Sequence, residues 1–285
     1  MLGFLFSGCQ PELSVELPEE PSRLVVWGTL HPDSLATVFL SAAFSPLAAP
    51  QDTAYAVSDA VVELYENGQV VDTLQEAVPG VYRSSFFQPK AGKIYAVRAL
   101  KMGYPTLQTR PDTMPENIDL AHLEAAYVLS VFNSEYGTAT IKVTLANPLA
   151  HPKMIGTKVT YLRPAPTVPL GGWYKNAIIP CDNIPKFEIY DYNLEDYSCL
   201  NEIKEIYIHN PYAWQANLTH GVHCSIAVFS DQSLDLFEKM AIFHYYNTDA
   251  ISTNPFYEPV FIPLEAEGGY GFVSCYNSID TSVAF

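Results

Sequence analysis

The chain has 285 residues, 15 Lys plus Arg against 31 Asp plus Glu, and a formal net charge of −16 with no basic cluster, so nucleic acid is a poor partner. Hydrophobic residues reach 48% and charged residues only 16%, the reverse of a disordered composition and enough for one large core or two ordinary ones. No apolar run approaches the roughly 18 residues that a spanning helix needs.

The N-terminus reads Met1-Leu2-Gly3-Phe4-Leu5-Phe6-Ser7-Gly8-Cys9, a short apolar run ending in small residues and a cysteine. A secretory signal also needs a basic start, but the first cationic side chain is Arg23. The expectation is therefore an annotated start a few residues too late, or a fragment. Residues 1–9 resemble a signal remnant and bacterial lipobox, with Cys9 as the lipidated residue, although Phe6 stands where Leu is usual. Acyl chains on Cys9 would anchor the protein without a spanning helix. Residues 10–22 carry Glu12, Glu16, Glu19 and Glu20 with three prolines, too little apolar surface to fold, and read as a tether.

The 19 Tyr, 15 Phe and 22 Pro suit strands separated by turns, and a mainly β fold is expected. Residues 23–110 read as an N-terminal immunoglobulin- or transthyretin-like antiparallel β-sandwich. Its strands are Leu24 to Leu30, Ala36 to Leu40 after a His31-Pro32-Asp33 turn, Val57 to Tyr65, Val70 to Leu74, one from Val81, and Ala91 to Leu100. Asn67-Gly68 between apolar runs is the strongest hairpin signal, because both residues accept positive φ. Residues 111–125, within a Pro-containing stretch, are expected to link to a second β-rich domain over 126–285.

In that second half, strands are expected at Ala126 to Phe132, Thr138 to Leu145, Phe187 to Tyr192, Glu205 to His209 and Gly221 to Phe229, with a long loop from Asn147 to Pro185. Ser230 to Asn247 breaks the pattern: it has Ser and Asp cap candidates, no Gly or Pro, and apolar residues at helical spacing, so one helix is predicted there. Gly268-Gly269-Tyr270-Gly271 precedes a strand, as a tight turn or bulge would.

Asn254-Pro255-Phe256-Tyr257-Glu258-Pro259-Val260, the Gly-rich Gly268 to Val273 and the Ser230 to Met240 segment resemble the closing signature of the Bacteroidota lipoproteins of domain-of-unknown-function family 4249. Leu24 to Gly28, Asp59 to Leu64 and Pro79 to Arg83 resemble that family's early strands in order and spacing. Leu264 to Glu267 departs from the pattern, where an Asn-Ile pair is more usual. The resemblance implies a surface-exposed, lipid-anchored outer-membrane protein, often encoded beside a TonB-dependent receptor. It transfers no catalytic residues.

Candidate chemistry is sparse. His220, His223 and Cys224 offer three zinc-ligand types in five residues, but no second pair exists and His223 and Cys224 point to opposite strand faces, so no metal is expected. Asp191 to Asp196 loosely resembles a calcium loop without its central Gly or distal Glu, and reads better as a solvated acidic turn. Nucleotide-loop and nucleophile-elbow motifs are missing from the sequence, and no cofactor is expected. Of the cysteines beyond Cys9, Cys181 and Cys199 are the favoured disulfide, while Cys224 and Cys275 could equally be buried thiols. Trp173, Tyr174, Tyr212 and Trp214 are candidates for an aromatic binding patch, or for ordinary strand residues. Ser34, Thr53, Thr73 and Thr113 each follow an Asp, which resembles the bacterial O-glycosylation motif Asp-Ser/Thr-apolar.

The reading is a non-enzymatic surface lipoprotein of the outer membrane, an accessory or substrate-binding partner of a TonB-dependent transporter. The alternatives are a secreted carbohydrate-active or hydrolytic enzyme, and a structural or adhesive envelope protein.

Overall fold

A computed structural model describes residues 22–43, 55–129, 136–150, 154–161, 188–189, 192–196, 202–214, 222–233, 235–236, 239 and 265–283. The described chain is mainly β. In order the strands are β1 (Arg23–Leu30), β2 (Thr37–Ala43), β3 (Val61–Glu66), β4 (Gln69–Val78), β5 (Val81–Arg83), β6 (Ile94–Leu100), β7 (Leu107–Gln108), β8 (Asp112–Thr113), β9 (Leu120–Leu129), β10 (Tyr136–Ala150), β11 (Met154–Tyr161), β12 (Glu188–Ile189), β13 (Tyr192–Asp196), β14 (Glu202–Trp214), β15 (Val222–Phe229), β16 (Glu265–Ala266) and β17 (Gly269–Val283).

Strict alternation builds the first core. Along β1 and β2 every second side chain is buried, among them Leu24, Val26, Val38 and Leu40. The β3–β4 hairpin turns at Asn67 and Gly68, with φ of 51° and 80°, as the Asn-Gly signal predicts. Register shifts within β4 let its early part pair with β3 and its late part with β5. The sheet thereby folds over itself, and Val62, Leu64 and Val97 face Leu24, Val26 and Leu40 in one core.

Tyr82 pins this core to the chain before β3. Its buried hydroxyl donates to the Val57 carbonyl at 2.9 Å and accepts from the Ala60 amide at 3.0 Å. Tyr82→Phe should cost about 1–2 kcal/mol, seen as a lower denaturation midpoint at unchanged urea dependence.

A second core lies between the sheet β12-β13-β11-β15-β17 and the three-stranded sheet β14-β10-β9, with Ile141, Val143, Ile206 and Ile208 against Ile155, Val159, Cys224 and Ile226. Three findings depart from the expected elements. The span from Asn147 to Pro185 is not all loop, because β10 runs to Ala150 and β11 pairs with β15 from Met154 to Tyr161. Tyr192–Asp196 is a strand beside β11 where a solvated acidic turn was expected, and Asp191 lies outside the described residues. Residues 111–125 hold β8, the start of β9, and the buried Met114 and Ile118 in place of a free linker.

The largest departure is β17. Its first half pairs in parallel with β1, Val25 to Leu30 opposite Tyr270 to Cys275, while its second half pairs antiparallel with β15. Val273 and Cys275 sit in the first core, and Ile279 and Val283 pack on the second. The C-terminal strand is thus shared by both cores, and the N-terminal sheet is mixed rather than purely antiparallel.

Residues 231–233, 235–236 and 239 are helical, within the predicted helix of 230–247. Ser230 caps it, its Oγ accepting from the Ser233 amide at 3.2 Å, and Lys239 pairs with Asp235 one turn back at 2.7 Å. The positions from 240 to 247 lie outside the described residues.

Candidate functional site

Where the chain passes from one core to the other, three segments enclose a cleft of about 920 Å³. Pro111 to Asp119 forms one wall, Val228 to Gln232 the second, and Asn147 to Leu149 of β10 the third. The first wall is fixed by Met114 in one core, Ile118 in the other, and Asn277 of β17 between them. Asn277 is buried, and its amide donates to the Pro115 and Glu116 carbonyls at 3.3 and 3.1 Å and to Asn117 Oδ1 at 3.1 Å.

Asp112 joins the walls. It is 4% exposed, and its Oδ2 accepts from Ser230 Oγ at 2.5 Å and from the Cys275 amide at 2.7 Å. The Ser230 amide donates to the Cys275 carbonyl at 3.0 Å, and Gln232 Nε2 donates to the Pro111 carbonyl. Three stretches remote in sequence (β8, β17 and the helix start) therefore meet on one carboxylate. Burial pushes the Asp112 pKa up, with the hydrogen bonds from Ser230 and Cys275 pulling it back. The Cys275 thiol is driven well above its usual value by burial and then by Asp112.

The rest of the lining accepts hydrogen bonds: Glu116, Asp119 and Asp231 supply carboxylates, and Asn117, Asn147 and Gln232 carboxamides. Asp119 Oδ2 already accepts from Asn147 at 3.1 Å. No Lys, Arg or His stands among the described lining residues, so the cleft is built to repel anions and to hold neutral or cationic polar groups. Ser230 touches a carboxylate, but its hydroxyl is buried and engaged in capping.

The model of the family described as "Domain of unknown function (DUF4249)" matches residues 11–153, half of the chain. The chain belongs to this family. The match takes in β1, β3 and β5, where the early-strand motifs of DUF4249 lie, and ends at the start of β11, so the C-terminal motifs fall beyond it. No curated protein matches the chain. Among solved structures it is similar to a Parabacteroides merdae β-glucuronidase (13% identity, 74% of this chain and 24% of that one, TM-score 0.22), to Escherichia coli α-2-macroglobulin (10%, 92% and 20%, 0.22) and to extracellular domains 3–5 of Drosophila OTK (8%, 74% and 94%, 0.21). The chain thus spans about a quarter of the glucuronidase's length.

In this DUF4249 chain the sequence-predicted site residues that fall among the described ones stand on several different strands and turns. Cys9, Cys181, Cys199, Trp173, Tyr174 and Thr53 lie outside the described residues. Tyr212 and Trp214 fall in β14, Trp214 opposite Tyr136 of β10. Ser34, Thr73 and Thr113 are exposed, whereas the Asp that precedes Thr113 is the buried Asp112. Cys224 and Cys275 are free buried thiols in separate cores, Cys224 pushed up to about 12 by desolvation. His223 meets Ser282 Oγ at 3.0 Å on the strand face opposite the buried Cys224, as the alternation requires. Asp112 and Asn277 carry no local signal of their role, since their partners lie more than 110 residues away.

Proposed function

We propose that the protein is a surface-exposed outer-membrane lipoprotein, a non-enzymatic accessory or ligand-binding partner of a TonB-dependent transporter. The observation that carries this reading is Ser7-Gly8-Cys9 followed by an acidic, Pro-rich stretch that delivers the chain to β1 at Arg23. Lipid on Cys9 would tether the folded part close to a membrane. The polar cleft supplies a binding surface, and its central carboxylate is engaged by Ser230 and Cys275, which favours a holding role over acid–base chemistry. The exposed Ser34, Thr73 and Thr113 would be reachable by a glycosylating enzyme.

Cys9→Ala tests the anchor. The wild-type chain should incorporate an alkyne-labelled fatty acid and fractionate with membranes, and the variant should lose at least nine-tenths of the label and become soluble. Equal labelling of both chains would end the lipoprotein reading. Purification from detergent-solubilised membranes should bring down a TonB-dependent receptor, and isolation of the lipidated chain alone would count against the transporter.

A further inference from the structure

The outer face of the first sheet carries an apolar band where alternation calls for polar residues. Register places Val78 of β4 opposite Val81 of β5, Val81 opposite Phe39 of β2, Phe39 opposite Trp27 of β1, and Trp27 opposite Phe272 of β17. Phe39, Trp27, Val81 and Phe272 stand on the side away from the core, because their neighbours Leu40, Val26, Tyr82 and Val273 are buried, and Val78 joins them by its register with Val81. Five strands at about 4.8 Å make a row roughly 19 Å long. Trp27 is 42% and Val78 57% exposed, and Trp27 stacks on Phe39 with ring centroids 4.1 Å apart.

Charge on this face runs against the rest of the chain. On β4, β5, β2 and β1 the rows flanking the band hold Arg83, opposite Thr37, and Arg23, opposite Ala43, and no carboxylate. The acidic position nearest by register is Glu265 of β16, opposite Tyr270. Arg23 lies over the Tyr270 ring at 5.4 Å. Among the described residues neither arginine forms an ion pair, although the chain has twice as many acidic as basic residues, and Arg98 of the same domain pairs with Glu63 at 2.6 Å.

We infer that this face docks a folded protein partner presenting an apolar patch rimmed by carboxylates. Aromatic residues and arginine with depleted acidic residues are the composition of an interface centre, and the stacked Phe39–Trp27 pair holds the middle of the row as its anchor. These two guanidiniums, without an ion-pair partner among the described residues, supply the complementary charge. A glycan fits less well, since the side chains of Val78 and Val81 at one end of the band offer no hydrogen bonds to sugar hydroxyls. The inference rests on the proposed function only in requiring a partner in the envelope, and gives that partner its docking face.

The test places the photocrosslinking residue benzoylphenylalanine at Trp27, at Val78 and, as a control, at the 95% exposed Met102 of the full chain in its native cells. The expected result is one protein adduct shared by positions 27 and 78 and missing from 102. The captured protein, identified by mass and purified, should bind the wild-type chain about tenfold more tightly than the Arg23→Glu, Arg83→Glu chain, with a gap that narrows in high salt. Adducts only to lipid, glycan or a second copy of the chain, equal adducts at 102, no adduct, or binding indifferent to charge reversal would each overturn it. Thermal unfolding checks that the double variant is folded, and Arg83→Glu alone carries the comparison if it is not. Fatty-acid labelling of Cys9 reports on the lipoprotein reading separately.

Discussion

Gly271→Ala is expected to leave the chain unable to reach its native fold. Gly271 sits at φ 119°, and a Cβ there would lie 1.7 Å from the Val26 carbonyl oxygen and 2.7 Å from its carbon. Backbone cannot move aside as a side-chain tip can, so β1 must separate from β17 and give up the parallel pairing from Val25 to Leu30. Because β17 continues into the second sheet, the disturbance reaches both cores. The expected loss exceeds about 4 kcal/mol, seen as absent cooperative unfolding or an insoluble product. Gly103→Ala is the control: it too has positive φ, 89°, but a Cβ there meets nothing within 4 Å. It should cost about 1 kcal/mol. Similar losses in the two variants would mean that conformational strain, not the close approach of β1 and β17, dominates at Gly271.

Asp112→Ala should be the next most damaging change, about 3 kcal/mol or on the order of 6–12 °C in Tm. It removes the acceptor shared by Ser230 and Cys275. Ser230 retains Ser233 as a neighbour at 2.9 Å, but the buried Cys275 amide would be left unsatisfied. Asp112→Asn keeps an acceptor oxygen and should lose roughly 1 kcal/mol. The pH dependence separates charge from shape. Burial raises the Asp112 pKa above the carboxylate value of 3.8, so as pH falls the folded chain takes up this proton before the unfolded chain does. The stability it contributes is complete below about pH 3.8 and lost as pH rises through the folded-state pKa. Glu76, held low by Ser58, and Glu205, held low by Lys142, act with the opposite sign: their contribution is present above about pH 4.5 and lost on acidification through their folded-state pKa. Asp112→Asn retains those two and removes only the first. The Tm advantage of wild type over Asp112→Asn should therefore widen as pH is lowered from neutrality towards 4. A constant gap across that range would show that Asp112 does not titrate differently on folding.

Several elements were legible because their physics is local. Alternation in Leu24 to Leu30 places β1, Asn67-Gly68 places its hairpin, and Ser230 with the non-β pattern behind it places a helix start. β11 was not legible, since a strand in a Pro-containing stretch is held by β15, not by its own pattern. The cleft was not legible either. Asp112 reads as a turn residue before a threonine, and becomes the joint of two walls only when Ser230 and Cys275 arrive from 118 and 163 residues away.

The sequence by itself determined a β-rich fold, a chain poor in charge yet strongly acidic, and membership of DUF4249. Those properties follow from composition and from patterns of a few residues. Only the tertiary structure decided that β17 serves two cores, that a polar cleft forms at their junction, and that Val78, Val81, Phe39, Trp27 and Phe272 line up on one outer face. Each depends on cross-strand register, set by where remote strands find their lowest-energy packing, and no short stretch of sequence encodes it.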